Sequence, residues 1–372
     1  MSACDLEITL DRAEAVYATD DSIVGRICVR TSEAAECQKL TVKLIWRTEG
    51  ESNQDLGEPV QEQTVFSGRW EAGKRASFPF EVTAPAGPFS YQGRLFQVAW
   101  YVKASADLAG MRDAHAERRV QVVPSGSVGR VDFGPKPAFL DDVIGGADAR
   151  LTSLGLRSRF QRGRWGAVNG CIGVPLFAFL LLALVGSTVA SYENIRQGNL
   201  TSDTVWGMLM LPMLGLLTLS YGRYLFRPVL ARTKVGRVNV QLSSRRLLPG
   251  GEVAYTVSCR PGARLELERI SVKLAAREEV TIGSGRSSRV RSHQVFEAER
   301  TAYGRAIEPG EAATWSGTLR VPDDAPTSFF AEYNELLWAL EVTLAVRGWT
   351  DWYGRHFVVV GPSEAQPLTV AA

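Results

Sequence analysis

Two long runs without charged side chains divide this chain. The first covers 28 residues from Trp165, and the second covers 19 residues from Thr204. About 20 apolar residues in a helix, each rising about 1.5 Å, cross a hydrocarbon core about 30 Å thick. The runs therefore predict a transmembrane helical hairpin over 165–222, with spans at 165–191 and 204–222. Because a hairpin returns to the side it left, the two flanking segments share one compartment.

Basic residues near the runs predict the orientation of this hairpin. The loop between the runs holds one of them, Arg196, whereas the flanks hold many. The flanking residues that set the predicted topology are Arg157, Arg159, Arg162, Arg164, Arg223 and Arg227. Lys and Arg are retained on the cytoplasmic side, so we expect a multi-pass protein of the inner (cytoplasmic) membrane with both termini cytoplasmic. Two buried helices of a large soluble core are the alternative, but core helices are rarely so long and free of charge.

The flanking segments have the alternation of β-strands. Apolar side chains recur at every second position, as at Val98, Trp100 and Val102, and again at Leu340, Val342 and Leu344. Clusters of Gly, Pro, Asp and Ser separate the alternating segments, which is typical of antiparallel sandwiches. The sequence predicts an all-β protein, with two immunoglobulin-like antiparallel β-sandwiches joined by the transmembrane hairpin. The predicted organisation is a sandwich over 1–123, a linker with a basic juxtamembrane segment over 124–164, the hairpin over 165–222, a second sandwich over 235–361 and a tail over 362–372.

The two predicted sandwiches align with each other in order. Leu40–Leu44 matches Ile270–Leu274, and Gln97–Val102 is placed opposite Leu337–Val342. A repeat of about 120 residues indicates a duplicated domain and not a short-period solenoid.

Several motifs of the first half resemble the arrestin-like fold family. They are the turn Tyr17–Gly25 (YATDDSIVG), the strand Phe78–Val82 (FPFEV), the segment Phe89–Gly93 (FSYQG) and the strand Trp100–Ala104 (WYVKA). The resemblance covers 4–123 well and 235–361 more loosely. It implies tandem arrestin-like β-sandwiches and a general role in binding proteins.

The chain departs from that family in two ways. Arrestins have no membrane hairpin between their sandwiches, and phosphate-sensing arrestins carry paired lysines after the first strand where this chain has only Arg12. The resemblance therefore implies the shape and not the recognition of phosphorylated receptors.

The sequence offers little chemistry for catalysis. Its three histidines, His115, His293 and His356, show neither metal-ligand spacing nor a nucleophile partner. Its five cysteines are scattered, which fits a reducing cytosol. We expect no enzyme activity, no catalytic residues, no metal and no cofactor. Nucleic acid is not an expected partner, because the sequence lacks a basic face with interleaved aromatic residues.

One basic cluster is a candidate contact site. Arg286, Arg289 and Arg291 lie in the segment RSSRVRSH of the second half. A solvated hairpin loop explains them, and contact with anionic lipid head groups or with an acidic partner is the sharper alternative.

These observations lead to one functional hypothesis and one alternative. The hypothesis is a membrane-anchored, non-enzymatic arrestin-like adaptor or scaffold that binds a protein partner, such as another integral membrane protein, at the cytoplasmic face. The alternative is an oligomeric subunit of a small channel or transporter. The runs contain no Asp, Glu, Lys, Arg or His, which disfavours transport. Their small residues suit either packing within the hairpin or homo-oligomerisation.

Overall fold

The computed structural model describes residues 4–125, 174–198, 209, 211–222 and 234–361. The described chain is mostly β-strand, and its strands form two antiparallel sandwiches, as the alternation predicted. Strands occupy Cys4–Val123 in the first sandwich and Arg237–Val360 in the second.

The N-terminal sandwich packs two sheets against each other. Its strands are β1 (Cys4–Leu10), β2 (Val16–Ala18), β3 (Ser22–Thr31), β4 (Ala35–Gly50), β5 (Gln61–Trp70), β6 (Arg75–Thr83), β7 (Tyr91–Gln92), β8 (Phe96–Leu108) and β9 (Ala114–Val123). One sheet has the order β1-β3-β6, and the other has the order β2-β9-β8-β4-β5 with β7 added against β8. The inward side chains of β3, β4 and β8 are buried at alternate positions, and this burial stabilises the sandwich.

The C-terminal sandwich repeats this arrangement. Its strands are β10 (Arg237–Leu242), β11 (Arg246–Leu247), β12 (Glu252–Arg260), β13 (Leu265–Ile282), β14 (Arg289–Tyr303), β15 (Ala306–Ile307), β16 (Ala313–Arg320), β17 (Phe329–Phe330), β18 (Asn334–Val346) and β19 (Trp352–Val360). The sheet orders are β10-β12-β16 and β11-β19-β18-β13-β14. Each strand of the first sandwich therefore has a counterpart, with β5 matching β14 and β6 matching β16.

The register of the repeat differs from the sequence alignment in one place. The indole N–H of Trp100 donates to the carbonyl of Pro88 at 2.7 Å, and that of Trp338 donates to the carbonyl of Pro326 at 3.1 Å. Trp100 therefore corresponds to Trp338, whereas the alignment of Gln97–Val102 with Leu337–Val342 is wrong by two residues. A shift of two leaves every side chain on its own face of the sheet, so alternation alone does not detect it.

A long apolar helix, α1 (Val174–Arg196), lies between the two sandwiches in sequence. Leu182 is 71% exposed and Phe179 is 66% exposed, so this helix is not the core helix of a soluble domain. It ends at Arg196, later than the predicted limit at residue 191, and Gly198 closes it with a φ of +73°. The predicted start at residue 165 lies outside the described residues.

A second apolar helix, α2 (Leu211–Gly222), follows, and the start of α1 lies against its end. A Cβ at Gly222 would lie 2.8 Å from the ring of Phe177. Within the described residues only α1 is long and apolar enough to cross a membrane. The described part of the second predicted span is too short by itself, since 204–208 lie outside the described residues, and the multi-pass prediction is not confirmed.

Candidate functional site

The two sandwiches meet at one end of each, and their cores are continuous there. The hydrophobic cluster of the N-terminal sandwich includes four residues of the C-terminal one, which are Val280, Phe329, Ala331 and Leu336. We refer to this contact as the interdomain interface. Its sequence origin is the long strand β13, which extends beyond its own core and carries Val280 to the neighbouring sandwich.

Phe329 is the apolar centre of the interdomain interface. Its ring lies 5.6 Å from Trp46 in an edge-on arrangement and 5.7 Å from Phe96 in a tilted one. These centroid distances are typical of favourable aromatic pairs. All three rings are buried, so the contact excludes water from the polar groups around it.

Glu278 crosses the interface from the C-terminal side. Its side chain is fully buried, and its carboxylate accepts hydrogen bonds from the backbone N–H groups of Arg94 and Leu95, both at 2.9 Å, and from the Tyr91 hydroxyl at 2.8 Å. A buried carboxylate is tolerated only when such donors replace its water. A Cβ at Gly93 would lie 1.5 Å from this carboxylate, so glycine is required for the close approach.

Asp55 makes the reciprocal contact from the N-terminal side. Its carboxylate accepts hydrogen bonds from the backbone N–H groups of Glu332 at 3.0 Å and Tyr333 at 3.1 Å. Arg94–Leu95 and Glu332–Tyr333 occupy equivalent turns of the duplicated fold. Each sandwich therefore binds a carboxylate of the other with the same two backbone amides, and we call this pair of contacts the carboxylate clamp.

Asn334 and Asn53 add further hydrogen bonds between the two sandwiches beside Asp55. The amide nitrogen of buried Asn334 lies 2.7 Å from the Asp55 carboxylate and 2.8 Å from the carbonyl of Asn53, and its oxygen accepts from the Ser52 hydroxyl. Asn53 exchanges side-chain hydrogen bonds with the backbone of Gly283 at 2.9 and 3.3 Å. Because every polar group in this network has a partner, the sandwiches are held in one relative orientation.

Burial changes the pKa of two carboxyl groups, Asp55 in the clamp and Glu279 beside it. It raises the pKa of Asp55, and the hydrogen bonds from Asn334 and the backbone amides oppose that effect. It raises the pKa of Glu279 from 4.5 to about 7, although the positive charges of Arg355 and Arg277 act in the opposite direction. Glu279 follows Glu278 on β13 and lies on the outer face of the sheet.

The predicted contact residues lie at the interface end of β13 and β14. Arg291 forms an ion pair with Glu51 of the N-terminal sandwich, so it contributes to the interdomain interface. Arg289 is exposed on β14, and Arg286 belongs to the 3-10 turn Gly285–Ser287. β13 is 18 residues long, so this turn lies about 60 Å along the strand from Leu265 at the opposite end of β13.

The remaining sequence candidates do not gather into a site. The topology-setting residues lie outside the described residues; they are Arg157, Arg159, Arg162, Arg164, Arg223 and Arg227. Among the residues that the structure describes, no group of His, Cys, Asp and Glu is arranged to hold a metal ion. Burial lowers the pKa of His356 to about 4, with Arg245 acting in the same direction, so this side chain is neutral.

Sequence reasoning missed Asp55, Glu278 and Asn334. A signal for Glu278 was present, because it occupies an inward position of a strand whose other inward positions are apolar, such as Leu274 and Val280. Asp55 lies in the loop between β4 and β5, where a carboxylate is usually solvated.

Comparison with known proteins finds a family match for the C-terminal sandwich. Residues 226–372 match the family model described as SpoOM protein (Spo0M). A crystal structure of Spo0M, a sporulation control protein from Bacillus subtilis, is 19% identical over 34% of this chain and 51% of its own length, with a TM-score of 0.29. The chain thus matches about half the length of that protein. None of the curated proteins compared with the chain matches it. The C-terminal sandwich is therefore a β-rich domain that resembles the Spo0M family.

Loss of one half of the clamp should destabilise the whole chain. We expect Glu278→Gln to lower the free energy of unfolding by about 3 kcal/mol, since one carboxylate oxygen becomes a donor facing a buried donor. The measurement is urea denaturation of the detergent-purified chain. Glu81→Gln is the matched control, because Glu81 is exposed and accepts one hydroxyl hydrogen bond from Ser22. Equal midpoints for the two variants would contradict the importance of the clamp.

Glu279 should make stability dependent on pH. The folded state holds its proton more tightly than the unfolded state, so this contribution to stability is present below pH 4.5 and is lost as the pH rises to about 7. We expect Glu279→Gln, which mimics the neutral form, to raise the free energy of unfolding at pH 7.5 by about 2 kcal/mol, a value reduced for partial exposure. Denaturation at pH 7.5 and at pH 4 measures the difference, which should vanish at the lower pH.

Proposed function

We propose that the protein is a membrane-anchored, non-enzymatic adaptor whose arrestin-like sandwiches bind a protein partner at the cytoplasmic membrane face. The observation that carries this proposal is the exposed apolar helix α1 between two sandwiches that are fixed to each other. A 23-residue helix with its large apolar side chains exposed to water is stable only when another apolar medium covers them.

The proposal assigns a role to each segment of the chain. Sandwiches at 1–123 and 235–361 form the cytoplasmic binding body, and the hairpin at 165–222 crosses the inner membrane twice. In this proposal residues 124–164 are a linker whose basic end is the juxtamembrane segment, and residues 362–372 are a tail. The Phe177–Gly222 contact supports the hairpin, since it joins the start of one helix to the end of the next.

The basic cluster of Arg286 and Arg289 belongs to the same proposal. Exposed Arg289 lies beside the interface at one end of the binding body and is available to an acidic partner or to anionic head groups. Arg291 is part of this cluster in sequence, but its ion pair with Glu51 gives it a structural role.

Charged residues in α1 should release the protein from the membrane. Each Asp near the centre of a spanning helix costs about 3 kcal/mol, so we expect Phe179→Asp/Leu182→Asp to move the chain from the carbonate-resistant pellet to the soluble fraction. Tyr303→Asp is the control, because Tyr303 is 95% exposed on the C-terminal sandwich. In the same extracts the tagged wild-type chain should retain a stoichiometric partner that a hairpin of residues 165–222 alone does not.

Two results would count against the adaptor. An Asp variant that stays in the carbonate-resistant pellet contradicts anchoring through α1. Cross-linking in membranes that yields a ring of defined order with no other protein favours the channel-subunit alternative.

Lipid contact of the basic cluster is tested in the soluble Asp variant. We expect Arg289→Ala to weaken flotation with anionic vesicles about fivefold, since a basic residue near such a surface contributes about 1 kcal/mol. Arg291→Ala should weaken it less, because Glu51 already neutralises that side chain. Unchanged flotation of the Arg289 variant would leave the cluster as a partner contact or a solvated loop.

A further inference from the structure

One edge of the N-terminal sandwich is closed by two glutamine side chains. β5 and β6 are the edge strands of the two sheets and lie alongside each other. The side-chain oxygen of Gln61 accepts the backbone N–H of Thr83 at 2.8 Å, and that of Gln63 accepts the N–H of Glu81 at 3.5 Å. The outward N–H groups of Glu81 and Thr83 in β6 are therefore occupied within the molecule.

The equivalent edge of the C-terminal sandwich is open. β14 and β16 replace β5 and β6, and the positions of Gln61 and Gln63 are held by Ala298 and Arg300, which carry no side-chain acceptor. We call this edge the β14–β16 seam. The N–H of Val321 donates to the carbonyl of Gly251, so by alternation the N–H groups of Thr318 and Arg320 point away from β12.

Among the described residues those two N–H groups have no acceptor. In the described part of the chain Arg300 has no carboxylate partner either, whereas nearby Lys273 is paired with Glu297 and Glu299. The Arg300 guanidinium lies near the Tyr255 hydroxyl, where it opposes the rise in the pKa of Tyr255 that burial causes. The Tyr255 hydroxyl in turn lies over Gly317 of β16, so Arg300 faces the seam.

An open strand edge beside an unpaired cation fits one kind of ligand, which is an extended strand that carries a carboxylate. An added extended strand supplies backbone carbonyls to outward N–H groups, and side-chain contacts give specificity. A carboxylate on such a strand would pair with Arg300 through two hydrogen bonds. Natural proteins normally protect long exposed edges, as Gln61 and Gln63 protect β6 in the first sandwich.

We propose that the β14–β16 seam binds an extended, acidic peptide segment of a protein partner. The segment pairs with β16 through Thr318 and Arg320 and places a carboxylate on Arg300. The three-stranded sheet β10-β12-β16 then gains a fourth strand. This inference rests on the proposed adaptor function and specifies its partner by chemistry.

The test places glutamines in the second sandwich at the positions that correspond to Gln61 and Gln63 of the first. The probe is a short fluorescein-labelled peptide of alternating Thr and Glu, and its binding to the detergent-purified full chain is followed by anisotropy. We expect Ala298→Gln/Arg300→Gln, which closes the seam, to weaken binding at least about tenfold. Thr318→Pro, which removes one outward N–H and keeps the pairing with β12, should weaken binding as well.

Three comparisons make the result decisive. Arg118→Gln removes an exposed arginine from the N-terminal sandwich and should leave binding unchanged. A peptide of alternating Thr and Lys should not bind. Denaturation midpoints equal to that of the wild type show that a loss of binding is not a loss of folding.

The proposal is overturned by equal affinity of the closed and open chains, or by equal binding of the two peptides. It is also overturned if closure abolishes self-association of the chain while the acidic peptide fails to compete, since the occupant would then be a second copy. A natural partner retained equally by both chains leaves the adaptor function standing and removes only this site.

Discussion

The relative position of the two sandwiches depends on two buried carboxylates that cross between them in opposite directions. Glu278 and Asp55 each accept the paired backbone N–H groups of a turn in the other sandwich. A carboxylate moved from water into a protein interior needs such donors to offset its lost hydration. Rotation of one sandwich against the other would leave both carboxylates and four amides unpaired together, so the orientation that places the edges and the basic cluster is strongly preferred.

Much of the fold could be predicted because alternation reports which side chains face inward. It identified β-sandwiches on both sides of the apolar segment, and the matched segments revealed the duplication. Alternation failed where two alignments of the repeat bury the same alternate positions. It therefore aligned Trp100 with Leu340, whereas the structure aligns Trp100 with Trp338. The clamp was not predicted for another reason. Asp55 lies in a loop, and only contact with the second sandwich buries it.

The apolar segment between the sandwiches shows what a charge-free run does and does not determine. Such a run identifies residues that can enter a hydrocarbon layer, but it does not determine the residue at which the helix ends. Helix α1 continues through Glu193 to Arg196, beyond the end of the charge-free run, and it closes at Gly198.

The shared core affects how the protein folds during its synthesis. Trp46 and Phe96 are covered by Phe329, which is synthesised more than two hundred residues later. During translation the first sandwich must wait with this apolar surface uncovered until the second sandwich has been made. Chaperones and proteases will therefore recognise an unfinished chain as incomplete, and the two halves of the duplication are free to diverge in sequence only as long as each continues to fit the other.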